Sequence, residues 1–137
     1  MDNIFYNNLI LIPTVTFLIT VFIKWLIVFI STKKVNISRA FWSWWMPSIH
    51  SSVIVSLATA VALKEGISSD TFAITMAFTA IIIYDAINVR FEAWLHAQEI
   101  NRIIGKEKFK ESLGHLPSEA FAWSLVGILI PLALWYV

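Results

Sequence analysis

The chain has 137 residues, 58% of them hydrophobic and 14% charged, with a mean hydropathy of +0.75 and a formal net charge of +1. Roughly a quarter of the residues of a soluble domain are charged, so an ordinary water-soluble domain is excluded and a membrane protein is indicated. No basic block or stripe suits nucleic acid, and the lack of cysteine excludes disulfides, thiolate catalysis and Cys-ligated metals.

Four segments are long and apolar enough to cross a bilayer, which takes about 20 residues and at least about 17. The first, Leu9–Ile30, follows "MDNIFYNN", which has no basic residue. The run is too long for the core of a secretory signal, so it reads as a retained anchor. The second is Pro47–Leu63, entered through Trp42, Trp44 and Trp45, an aromatic belt suited to the interface. Gly66 in "EGISSD" marks a tight turn to the third, Phe72–Val89, whose helical pattern continues to about residue 104. The fourth is Ser118–Tyr136. None alternates strictly, so helices are expected. The fold class is an all-α integral membrane protein. It forms one domain over 1–137, with four transmembrane helices (about 9–30, 47–63, 72–104 and 118–136) in a small bundle.

Charge sets the orientation. Lys33, Lys34 and Arg39 lie between the first two helices, and Arg90, Arg102, Lys106, Lys108 and Lys110 between the last two. The connection "KEGISSD" has one lysine against two acids. Positive loops stay in the cytoplasm, so both termini are expected outside, and a bacterial cytoplasmic membrane is the expected location. Lys24 falls in the inner half of the first helix, from which its stem can reach the inner interface.

This orientation gathers polar groups at one membrane face. His50 begins the second helix, Asp85 and Arg90 end the third, and His115 and Glu119 begin the fourth. The two starts, "MPSIH" and "HLPSEA", each place a proline where its missing N–H costs nothing. Each start leaves free amides and a partial positive charge. At equal depth they would make an anion site with Arg90 and Lys110, phosphate being the natural occupant. The plainer reading is that prolines begin helices and basic residues stay inside. Glu119, four residues after His115, can hold one imidazole N–H and leave the other nitrogen a base or nucleophile. A first-turn glutamate is also favoured by the helix dipole alone.

Asp85, Asn88, Glu92, His96 and Glu99 recur at steps of three and four along one helix face. Arg90 falls roughly 140° from Asp85 at 3.6 residues per turn. An aspartate near membrane depth is a functional candidate. Glu92, His96 and Glu99 read as a solvated face, since their spacing matches no metal motif. Ser52, Ser56 and Ala60 form a small-residue stripe, a packing face for a neighbouring helix within the chain or across a homodimer.

Three stretches together, "MPSIHS", "YDAINVRFEA" with the following "HA" and "IN", and "LGHLPSEA", resemble the three motifs of the divergent branch of the type-2 phosphatidic acid phosphatase and vanadium haloperoxidase superfamily. The family's versions read approximately GGMPSSHSA, YDAxGVRR and LGHxPxE. Order and spacing agree from about Phe17 to the C-terminus, and Lys24 matches a lysine of the family's first helix. The resemblance implies a phosphatase-like protein without a metal or other cofactor, acting on a phosphorylated membrane lipid. It implies His115 as nucleophile, Glu119 as its orienting carboxylate and His50 as general acid. It implies Arg90, Lys110, Ser48 and Lys24 as phosphate ligands and Asp85 as support for Arg90. The chain departs from the pattern at Trp44 and Trp45 (two glycines), Ile49 (serine), Asn88 (glycine) and Phe91 (a second arginine). Two rival readings stay open at this point. One is a non-catalytic protein binding a phosphorylated headgroup. The other is a small oligomeric ion or metal transporter using Asp85, His96 and Glu99.

Overall fold

The structure, a computed structural model, describes residues 4–32, 48–109 and 117–136. Its elements are α1 (Ile4–Asn7), α2 (Leu11–Thr32), α3 (Ile49–Glu65), α4 (Asp70–Tyr84), a π-helical turn (Asp85–Val89), α5 (Arg90–Ile104) and α6 (Pro117–Trp135). The described elements are all helical, as the apolar runs predict. The helix α4–π–α5 runs without a break for 35 residues, Asp70–Ile104. It and Ser118–Trp135 are the two described helices that are long and apolar enough to cross a membrane. The apolar stretch of α2, Leu11–Ile27, is shorter, and α3 has 17 residues.

Local signals set the boundaries. Ser48 caps α3: its hydroxyl accepts from the Ser51 N–H and shares a 2.9 Å hydrogen bond with the Ser51 hydroxyl. The first residue of α3 is therefore Ile49; Pro47, expected to open this helix, lies outside the described residues. At α6 the expectation holds, with Pro117 opening the helix. Gly66 ends α3 at φ 85°, and Ser69 caps α4 by accepting from the Phe72 N–H.

Helix α3 lies in the middle of the bundle, with α2, α4 and α6 all packed on it. The buried stripe of α2 is Ile12, Thr16, Thr20 and Lys24, one residue every four. On α3 the matching stripe is Ser48, Ser52, Ser56 and Ala60. Ile12 and Ala60 share one apolar cluster, and the hydroxyls of Thr20 and Ser52 share a 3.1 Å hydrogen bond. These two meetings lie eight residues apart on each helix, in opposite directions, so α2 and α3 run antiparallel in constant register. The same register sets Thr16 opposite Ser56 and Lys24 opposite Ser48. The stripe read as a packing face is thus used within the chain. Small and hydroxyl residues let backbones approach where apolar lipid supplies no hydrophobic drive between helices.

Helix α6 buries Ala120, Trp123, Gly127 and Pro131. A Cβ built on Gly127 would stand 2.5 Å from the Ser52 carbonyl oxygen and 3.0 Å from the Val55 Cβ. The glycine therefore lets α6 rest on the α3 backbone. Farther along, Leu134 and Trp135 pack on the cluster of Tyr6, Ile12 and Ala60, so α6 runs in the same direction as α3. Tyr6 ties the far end: its hydroxyl donates to the Pro131 carbonyl at 2.7 Å, and its ring meets Trp135 edge-on at 4.5 Å.

Gly127→Ala should lower stability by about 1–3 kcal/mol or more, because backbone stands in the way and the helices must separate. Thermal unfolding in detergent reads this; an unchanged midpoint would remove the close contact from the account. Burial pushes the Tyr6 phenol up to about 12 from its ordinary 10.0. Neutral Tyr6 thus contributes stability that is complete below pH 10 and lost as pH rises through about 12. Tyr6→Phe should cost about 1 kcal/mol at neutral pH for the lost hydrogen bond. Its deficit against wild type should shrink across that alkaline window, and unfolding midpoints at a series of pH values measure it.

Candidate functional site

The site is built outward from the start of α3. Ser48 is fully buried, and beyond it the first amides of a 17-residue helix lack helical acceptors. They give this end partial positive charge. Lys24 faces Ser48 across the α2–α3 register. It is only 5% exposed. Among the described residues no carboxylate pairs with it. A buried cation beside a positive helix end is an arrangement that favours an anion. His50, on the first turn of α3, is exposed at the same end.

The π-turn corrects the geometry read for Arg90. In an α-helix, five residues separate Asp85 from Arg90 by roughly 140°. Here the Arg90 N–H donates to the Asp85 carbonyl, an i→i+5 bond that makes each turn one residue longer. Residue 90 therefore stacks over residue 85, and the Arg90 Nε donates to the Asp85 carboxylate at 2.5 Å. Both side chains are partly exposed, so the pair orients the guanidinium more than it stabilises the fold. Phe91, in place of a second arginine, packs its ring 5.3 Å from Trp94. Asn88, Glu92, His96 and Glu99 are exposed, and Glu99 pairs with Arg102. Among the described residues no group of three His, Asp or Glu side chains converges to hold a metal.

Counted from the Gly127–Ser52 contact, the two helix starts are offset along the bundle. Level with the Gly127–Ser52 contact, Ser48 lies four residues back along α3, whereas Glu119 lies eight residues back along α6. At about 1.5 Å per residue, the first turn of α6 stands roughly 6 Å beyond the start of α3. The π-turn that carries Asp85 touches α6. Register thus sets Lys24 level with Ser48 at the start of α3, beside His50 on its first turn, while Asp85 and Arg90 pair at the π-turn and Glu119 lies in the first turn of α6. His115 and Lys110 lie outside the described residues.

Two residues have roles that the sequence reading did not assign. Asn101 is 6% exposed and grips the chain beyond α5. Its Oδ1 accepts from the Lys108 and Phe109 N–H groups, both at 2.9 Å, and its Nδ2 donates to the Phe109 carbonyl at 2.8 Å. An asparagine four residues before Gly105, which ends the helix at φ 73°, was the available sign. The other is Trp123, buried one helical turn before Gly127.

The described residues form an all-helical bundle with apolar outer faces, the build of a membrane protein. The family model described as "Divergent PAP2 family" matches residues 5–130, and the chain belongs to that family. It is also 35% identical over 134 residues to an uncharacterized membrane protein, YuiD, of Bacillus subtilis (strain 168). That match covers 83% of this chain and 85% of the relative. No solved structure matches the chain.

Asn101→Ala removes three hydrogen bonds from the 105–109 turn. Trypsin should then cut after Lys106 or Lys108 several times faster than in wild type, while the helical content is kept. Equal cleavage rates would show that the turn does not depend on Asn101.

Proposed function

We propose that this protein hydrolyses a phosphate or diphosphate ester of a membrane lipid, of prenyl phosphate or phosphatidate type, through a phosphohistidine. The observation that carries the proposal is Lys24: a lysine residue only 5% exposed, level with the start of α3, with no described carboxylate paired with it. Such a charge at membrane depth costs about 3 kcal/mol or more on insertion scales. A bound phosphate turns that cost into binding. Arg90 adds a fork of donors at the same end, already oriented by Asp85.

The roles of the reacting groups follow the family motifs. One His115 nitrogen attacks phosphorus, with Glu119 holding the other ring N–H. The bond from that phosphorus to the leaving oxygen, that of the lipid alcohol in a monophosphate or the bridging oxygen in a diphosphate, breaks, and His50 gives that oxygen a proton. Water then attacks the phosphohistidine, losing its proton to His50, and inorganic phosphate leaves. Lys24, Arg90, Lys110 and the Ser48 end of α3 balance the charge that develops on the phosphoryl oxygens. Four crossings, with both termini outside a bacterial cytoplasmic membrane, set this end at the cytoplasmic headgroup level.

A second reading, headgroup binding without turnover, is favoured by Phe91, whose ring packs at a tilt against Trp94 where a second arginine would add charge. Purified protein, assayed for phosphate release from a panel of lipid phosphates and diphosphates, separates the two. His115→Ala should reduce kcat by at least about 10³-fold, and Lys24→Met should weaken substrate binding. Equal release by wild type and His115→Ala would reject His115 as nucleophile. Binding that survives His115→Ala, with no release from any substrate, selects the second reading.

A further inference from the structure

We propose that Trp123 is a phosphate-binding residue, its indole N–H donating to an oxygen of the anion held by Lys24 and the start of α3. The inference rests on the anion site proposed above and adds a donor that the family motifs do not contain. Trp123 is 7% exposed, and its Nε1 is a buried donor with no hydrogen-bond partner. Buried donors are nearly always paired.

The register shows where the ring lies. Gly127 sits on the Ser52 carbonyl, and α3 and α6 run in the same direction. One turn back on each helix brings Trp123 level with Ser48. The antiparallel register brings Lys24 to that same level from α2. Two residues, each more than nine-tenths buried, thus lie level with the start of α3, one on each neighbouring helix. One is a cation and the other a neutral donor, and neither has a partner among the described side chains. Glu119 lies a further turn along the same α6 face. The group that satisfies these donors together accepts several hydrogen bonds and carries negative charge. A tetrahedral phosphate does both, as free phosphate or as a lipid headgroup.

The test uses the full chain in detergent micelles with indole-¹⁵N-labelled tryptophan. Inorganic phosphate and a short-chain phosphatidate are titrated separately. One indole N–H resonance, missing from Trp123→Phe, should move on titration. A shift with both ligands, or with phosphatidate alone, supports the proposal and tells the two sources apart. Trp123→Phe keeps a ring but removes the donor. It should weaken phosphate binding roughly tenfold to a hundredfold, with an unfolding midpoint equal to or above that of wild type. Unchanged or tighter binding in Trp123→Phe, with Lys24→Met still weakened, overturns the role of Trp123 and leaves the anion site standing. Absence of binding in wild type, or binding indifferent to Lys24→Met and Trp123→Phe alike, overturns both.

Discussion

The close approach of three helices to α3 is the constraint from which the rest of the molecule follows. Gly127 lies against the Ser52 carbonyl, and the Thr20 hydroxyl meets Ser52 from the other side. Between them a single residue of α3 is held by both neighbours. Contacts this short fix both axial registers to within a residue, since a slip by one would push side chains into backbone. Such packing also suits a setting where lipid offers no hydrophobic drive between helices. Once the registers are fixed, the levels of Lys24 and Trp123 relative to the α3 start are no longer free.

The π-turn solves a different problem. Thr75 and Thr79 face the bundle, and the following turn must then present Asp85 and Arg90 as a pair. A uniform α-helix cannot put residues five apart on one side. The wider turn does, and it does so where α4 ends.

Much of this was legible in the chain because the signals were local or periodic. Apolar runs gave the helices, Gly66 gave the turn, and Ser52, Ser56 and Ala60 gave the packing face of α3. The four-residue spacing of Ile12, Thr16, Thr20 and Lys24 was equally visible. It marks Lys24 as a member of the buried stripe, but lysine near a helix end is more readily read as reaching for water. What stayed hidden depended on partners distant in sequence or on non-standard backbone. The i→i+5 turn has no residue preference that announces it. Ser48 was masked as a cap by the proline beside it. The offset between the starts of α3 and α6 exists only through the contact of Gly127 with Ser52. Trp123 resembled any interfacial tryptophan until its face was known. His115 and Lys110 rest on motif alone.

The extra residue in the π-turn is also a phase shift. Each residue of an α-helix turns the chain by about 100°, so Asp85–Val89 resets the angular phase between α4 and everything beyond it. The two halves of the 35-residue helix Asp70–Ile104 therefore keep separate angular references. One is set by threonines against α3 and the other by Asn101 against the chain after Gly105. Substitutions on one half leave the aim of the other unaltered, whereas an insertion or deletion between residues 85 and 90 changes the aim of all of α5 at once. For this helix, length within that short turn is more tightly bound to function than the identity of most side chains on its outer face.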